Sequence, residues 1–424
     1  MEDSYYEKII LIGSQCWFAD SFIYFIEKWF KGTVIKCNHN TKWFFPNYSI
    51  FNKIGFSIVD IKDLQIDKLG LDENTLIISD YNFAGDIKSK SVFKLYSEEV
   101  LDIAYKISKY NKDNNCGAIV VRGFNGDTGF GPIEKVNLFN EKIKYLDALI
   151  FDNSLLEEFV LKNIPNANNI KKYLGWMETP LERFVNNNIN DKIDKSFISL
   201  GRILCSTKID YKDKAIFYGY YEDNSIDRKY IDNIILGYQE NLDYLIIKLF
   251  GIRLSIKKKR KVFPLNLAGG TNDINKIYND RKYFFTNYSH IAFGLSHSYD
   301  IFNNSIENFL RNKDFYFSLD GQNICSNILS PKEMYYAFIN NPSKDVTYLM
   351  NGIIPLISHN LHNVYKEFID KKMAILIKTE DDIENTLNIS DYEILEYREN
   401  IYKNRHLFTF EKTADLLINL LDKK

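Results

Sequence analysis

Short apolar runs alternate along this chain with segments whose apolar residues recur at helical spacing. Lys8-Ile-Ile-Leu-Ile12 reads as a buried strand closed by Gly13-Ser14, and Phe18 to Phe30 carries the spacing of a helix packed on a sheet. Thr33 to Cys37, Phe56 to Val59 and Thr75 to Ser79 predict further strands. A helix from Val100 to Tyr110 leads to a strand at Ala118 to Val121. The strand Ala148 to Phe151 ends at Asp152-Asn-Ser154, a cluster suited to cap the helix Leu155 to Lys162. Such alternation predicts a parallel, doubly wound α/β sheet, with ligands at the carboxyl ends of its strands.

A polar stretch, Asn186 to Lys195, interrupts the pattern and predicts an interdomain linker. Strands are then expected at Phe197 to Leu200, Val262 to Ala268 and His290 to Phe293, followed by a helix at Ser305 to Asn312 and a strand at Asp314 to Ser318. Helix formers from Ser343 to Asn351 stop at Gly352, a residue able to take the left-handed C-cap conformation. Ile353 to Ile357 is β-rich, and its Pro355 points to a strand start or a sheet edge. Tyr365 to Lys371 and Ala374 to Ile377 add a helix and a strand, and the tail predicts helices at Tyr392 to Tyr402 and Thr413 to Leu421. The expected organisation is an N-terminal Rossmann-like domain (1–185), the linker (186–195), a second Rossmann-like domain (196–395) and C-terminal helices (396–424).

A chain of 424 residues is long enough for two such cores. Its 54 basic and 56 acidic side chains leave no global positive field, so a general nucleic-acid binder is not expected. Cys16, Cys37, Cys116, Cys205 and Cys325 form no Cys-x-x-Cys and are odd in number, which argues against a disulfide framework. The acidic start Met-Glu-Asp-Ser is unlike a signal peptide, and no apolar run approaches the roughly 18 residues of a membrane span. A cytoplasmic protein is expected. One local exception to the charge balance, Lys257-Lys258-Lys259-Arg260-Lys261, follows the amphipathic segment Leu249 to Leu254 and reads either as a solvated loop leading into the next strand or as peripheral contact with the inner face of a membrane. No Asp-x-Asp is present, and the pair His359 and His362 lacks acidic or thiol partners nearby, so neither a metal nor a cofactor is expected.

Two segments carry candidate chemistry. Ser199-Leu-Gly201-Arg202 and Lys208, placed just beyond the first strand of the second domain, would let a diphosphate approach the backbone at Gly201, fork onto Arg202 and meet the point charge of Lys208. Gly13 and Ser14, at the first strand-to-helix turn, would offer backbone amides to phosphate. The second segment runs from Pro342 to Pro355 and contains Lys344, Asp345, Thr347, Tyr348, Leu349 and Gly352.

These two segments, in this order, resemble the donor-binding elements of GT-B glycosyltransferases of the retaining, group 1 or family 4-like kind, and the resemblance covers most of the chain from about residue 147. It implies two Rossmann-like domains facing across a cleft and transfer of a sugar from a nucleoside-diphosphate sugar to a glycan, lipid or protein acceptor, as in bacterial surface-glycan synthesis. Arg202 and Lys208 would neutralise the donor diphosphate. Gly201, Gly294, Lys344, Asp345, Thr347 and Tyr348 would surround the donor nucleotide. The departure is at Thr347, where these enzymes carry a ribose-binding acid, and this chain has no Glu-x7-Glu pair; either Asp345 takes over part of that task or ribose recognition is weaker. An inverting route needs a base, for which Asp20, Asp80 and Asp127 are the candidates, whereas a retaining route needs none; both stay open. Two rivals remain: a non-catalytic GT-B-like scaffold, favoured by Thr347, and a nicotinamide oxidoreductase, disfavoured because Gly-Ser-Gln-Cys stands where Gly-x-Gly-x-x-Gly would be required.

Overall fold

A computed structural model describes residues 6–12, 19–29, 31–36, 51–52, 55–79, 96–124, 133–175, 179–185, 192–205, 215–223, 231–232, 236–240, 244–249, 252–257, 274–296, 343–378 and 380–420. Seven strands form the first sheet: β1 (Lys8–Ile12), β2 (Lys31–Lys36), β3 (Ser57–Asp60), β4 (Thr75–Ser79), β5 (Ile119–Phe124), β6 (Ala148–Phe151) and β7 (Lys171–Leu174). Their order is β3-β2-β1-β4-β5-β6-β7, and every pair is parallel. Successive strand residues serve opposite faces, and both faces are buried, as a parallel sheet requires. Ile10 and Ile12 join one core with Ile77, Val120 and Leu149, while Ile9 and Leu11 join the other with Leu76, Ile78 and Ile150. Helix α1 (Ala19–Lys28) brings Ile23 and Phe25 to the second of these cores; α2 (Tyr96–Asp113), α3 (Ile133–Ile143) and α4 (Ser154–Asn163) bring Ile107, Phe139 and Leu156 to the first. The expected cap of α4 is present: the Asn153 side chain accepts from the Leu156 N–H at 2.9 Å.

The second parallel sheet is built from β8 (Asp194–Cys205), β9 (Ala215–Asp223), β14 (Ile291–Leu295), β15 (Ile354–Ser358) and β16 (Ile375–Ile377), in the order β16-β15-β14-β8-β9. Between β9 and β14 in the chain lies an antiparallel meander, β10 (Ile231–Asp232), β11 (Leu236–Glu240), β12 (Tyr244–Leu249) and β13 (Ile252–Lys257). The amphipathic segment Leu249 to Leu254 is therefore the end of one strand and the start of the next. Its apolar positions have the two-residue period of a hairpin. Helices α5 (Ile274–Asn287), α6 (Ser343–Met350), α7 (Lys366–Asp370), α8 (Glu380–Asn385), α9 (Asp391–Asn404) and α10 (Phe410–Leu420) complete the described elements. Expected strands at Val262 to Ala268 and Asp314 to Ser318, and the helix at Ser305 to Asn312, lie outside the described residues.

Pro355 sits near the start of its strand as expected, but β15 is an interior strand rather than an edge. The register explains the tolerance. Ser296 N–H donates to Leu356 O, so Leu356 faces β14 and Pro355 faces the other neighbour, where pairing with β16 begins only at Leu356. The missing N–H of the proline falls where no rung is made. Strand β8 begins at Asp194, within the stretch expected as a linker, and residue 396 falls inside α9. Ile394 and Ile401 of α9 belong to the core of the second sheet, with Phe197, Phe293 and Ile357.

Helix α10 behaves differently. Although it follows α9, it packs on the first sheet: Phe410 is fully buried edge-on to Tyr24 and Phe25 at 5.2 and 5.5 Å, and its N–H donates to Pro180 O. Tyr173 O–H donates to Thr413 O at 2.8 Å, and Asp415 accepts from both Tyr24 and Lys28. A second link joins α5 to α1, where Arg183 pairs with Glu27 at 2.6 Å, donates to Tyr278 O–H at 2.8 Å and stacks on the Phe184 and Tyr278 rings. Phe410→Ala should lower unfolding free energy by about 3–5 kcal/mol, whereas Tyr392→Ala, at a side chain 81% exposed, should stay within about 0.5 kcal/mol. Equilibrium urea unfolding checks both; equal losses would show that α10 contributes nothing to the core on the α1 face of the first sheet.

Candidate functional site

In an open parallel sheet the chain leaves neighbouring strands in opposite directions at one point, and the loops part there to leave a crevice. In the second sheet that point lies between β8, which continues to β9 on one side, and β14, on the other. Pairing between β8 and β14 ends at Gly294 with Ile198. Carried on in the same register, the next rung would join Leu200 N–H to Leu295 C=O. The hydroxyl of Tyr348 stands in that place, accepting from Leu200 N–H at 2.9 Å and donating to Leu295 O at 2.9 Å. The strands are held apart by the width of one oxygen. Gly294 makes this possible: a Cβ there would come within 2.5 Å of the Tyr348 ring.

Directly above this floor lies a polar cluster. Ser296, the residue after β14, donates to Asp345 Oδ2 at 2.7 Å, and Tyr365 O–H donates to the same oxygen. Asp345 is in the first turn of α6, where the helix dipole and neighbouring Lys344 favour its charge. Burial wins over both. The carboxyl is completely buried, and desolvation pushes its pKa up to about 6 against the pull of Lys344, Tyr365 and Ser296. Among the described residues Asp345 Oδ1 has no hydrogen-bond partner. Thr347 is 8% exposed one turn into the same helix, and Ser358 and His359 close β15 at the same edge.

The sequence-predicted residues divide accordingly. Asp345, Tyr348 and Gly294 come together at the junction of β8 and β14, where Tyr348 and Gly294 form the floor and Tyr348 is fully buried, while Lys344 and Thr347 lie on the same helix as Asp345. Gly201 and Arg202 lie within β8 and not in a loop beyond it, paired with Gly219 and Tyr220, because β9 supplies a partner out to Cys205. At about 3.3 Å per residue, the Arg202 backbone stands roughly 7 Å past Leu200, above the same crevice. Gly13, Ser14, Asp80, Asp127 and Lys208 lie outside the described residues, and Asp20 is described only as a backbone position at the start of α1.

Sequence reading missed Ser296 and Tyr365, and a second polar pair at the carboxyl end of the first sheet. There Arg122, fully buried on β5, donates to Ser79 at the end of β4, at 3.1 Å. An arginine inside the apolar strand Ile-Val-Val-Arg-Gly-Phe was the available signal. A groove of about 610 Å³ between Arg183, Phe184, Tyr278 and Lys282 holds none of the predicted residues, and its Arg183 is already committed to Glu27.

No protein-family model matches this chain, and no curated protein matches it.

Two predictions follow from this geometry. Tyr348→Phe removes the bridging hydroxyl and leaves a buried donor and acceptor unpaired, which should cost about 1–3 kcal/mol in urea unfolding; an unchanged midpoint would mean that the strands close and pair directly. Asp345 has a folded-state pKa above its ordinary 3.8. Its contribution to stability is therefore full below about pH 4 and is lost as pH rises through about 6. Relative to Asp345→Asn, the wild type should lose roughly 2–3 kcal/mol between those limits. Parallel pH profiles of the two proteins would refute the buried, proton-holding carboxyl.

Proposed function

We propose that this chain is a GT-B glycosyltransferase that moves a sugar from a nucleoside-diphosphate sugar to a glycan, lipid or protein acceptor, with the donor seated between β8 and β14. The observation that carries this reading is the meeting of two distant segments. The run containing Gly201 and Arg202 and the run from Lys344 to Gly352 resemble donor-binding elements separately, and Tyr348 fastens one to the other one residue before Gly201. The parallel, Rossmann-like character of both sheets, and the return of α10 to the first one, agree with a two-domain transferase.

Transfer builds negative charge on the departing diphosphate, so fixed cationic donors near it give the largest benefit. Arg202 and Lys208 have that role in this reading. Asp345 replaces the acid missing at Thr347: its Oδ2 is held by Ser296 and Tyr365, which leaves Oδ1 to accept from a donor hydroxyl. Ser296 and Tyr365 fix the carboxylate in place. One observation favours the rival scaffold, since packing alone accounts for Gly294 and Tyr348.

Calorimetric titration with UDP, GDP, ADP, CMP and NAD distinguishes the readings. A nucleoside diphosphate should bind, and Arg202→Ala, Lys208→Ala and Asp345→Asn should each weaken it about tenfold, the scale of one charge-assisted hydrogen bond. Binding of NAD alone would overturn the transferase in favour of an oxidoreductase. Binding of none would leave the scaffold.

A further inference from the structure

The two oxygens of the Asp345 carboxyl have unequal surroundings. Oδ2 accepts from Ser296 at 2.7 Å and from the Tyr365 hydroxyl, so both of its lone pairs are used. Oδ1 is closed off from solvent and has no hydrogen-bond partner among the described residues. A carboxylate oxygen without a donor in a dry place is costly. A carboxylic acid avoids the cost by carrying its proton on that oxygen while the other keeps accepting.

The neutral acid is therefore the form that the cluster fits. Desolvation acts in the same direction and holds the proton up to about pH 6. The charged and titratable groups that oppose it are Lys344, from its own helix α6, and Tyr365, from the segment ahead of α7; β14 contributes the Ser296 hydroxyl. At the same edge β15 ends on Ser358, followed by His359. None of these groups supplies a donor to Oδ1.

We propose that a ligand enters the crevice between β8 and β14 in exchange for a proton: a ligand hydroxyl donates to Oδ1, Asp345 passes from acid to carboxylate, and its proton leaves to solvent. The O–H bond of the acid breaks, its electron pair stays on Oδ1, and no bond of the ligand is broken. Since Oδ1 is covered, the ligand reaches it only by displacing its cover. The inference rests on the reading of this crevice as a nucleotide seat and adds that pH controls it.

Titration calorimetry in buffers of different ionisation enthalpy counts the protons. UDP-glucose, GDP-mannose and ADP-glucose are suitable probes, because their phosphates stay ionised throughout. The one that binds should release about 0.8 proton at pH 5, about 0.5 at pH 6 and almost none at pH 8, and should bind roughly tenfold more weakly at pH 5 than at pH 8. Asp345→Asn should bind with no release at any pH. Tyr365→Phe, which takes a donor from the charged form, should move the midpoint to higher pH. A histidine beside a diphosphate would take a proton up instead, so His359→Gln should leave the release unchanged. Binding without release, release that survives Asp345→Asn, or release that vanishes in His359→Gln would overturn the exchange and leave the nucleotide seat standing. Failure of all three probes to bind at any pH would overturn both. If Tyr365→Phe fails to fold, shown by its circular dichroism, the wild type and Asp345→Asn decide.

Discussion

The hydroxyl of Tyr348, standing between Leu200 N–H and Leu295 C=O, sets the geometry of the second sheet. A tyrosine can enter a parallel ladder only if its ring has somewhere to lie, and Gly294 provides the space. The ring must also arrive at a fixed height, which binds the position of α6 to the sheet. That helix stops at Gly352, whose φ of +70° favours glycine and whose Cα faces the Tyr402 hydroxyl too closely for a side chain. Arg405 donates to Met350 O at the helix end while stacking over Tyr402. Floor, helix, turn and the end of α9 are therefore one mechanical unit. Shifting any member moves Asp345.

Helix α10 gives this unit a connection to the rest of the chain. A 3₁₀ turn from Arg405 to Phe408 separates it from α9, and Phe408 still packs against Phe368 of the second core. Two residues later Phe410 lies in the core on the α1 face of the first sheet. The two cores are thus joined at Thr409, where the Phe410 N–H meets Pro180 O on the segment leading toward β8. The Arg183, Glu27 and Tyr278 contacts tie that same segment to α1 and α5. Among the described residues, chain leaving the first sheet and chain returning to it are fastened side by side by these contacts.

Much of this was legible where burial is simple. Strands β4 and β6 fall where their apolar runs place them, because both of their faces are covered and nothing polar competes. Asn153 announced α4 for the same local reason. The meander was harder to read: its strands are half apolar, and a period of two across Leu249 to Leu254 looks amphipathic without showing what it pairs with. Pro355 allowed either a strand start or an edge, and the start is what the structure has; spacing could not choose between them, because the direction of its missing N–H depends on register, which is a property of two strands. Gly294 and Tyr348 were recognised as special, but the reason, a hydroxyl taking the place of a rung between residues 148 apart, could not come from spacing.

Asp345 is the residue whose presence packing does not explain. If its task were only to accept from Ser296 and Tyr365, an amide oxygen would serve, without the desolvation that lifts this carboxyl to about 6. Near neutral pH most of the group is ionised, and a buried charge is retained only where something repays its desolvation. The helix N-terminus and Lys344 repay part. The two hydroxyl donors satisfy Oδ2 and leave Oδ1 without a partner among the described residues, at the carboxyl end of a parallel sheet beside its switch point. A group that arrives with a hydroxyl for Oδ1 would complete the cluster and lower the pKa of Asp345 on binding, so its uptake would release a proton near pH 6. A purely structural carboxylate would show no such coupling, so a proton taken up or released with a ligand is what separates the two roles for this buried acid.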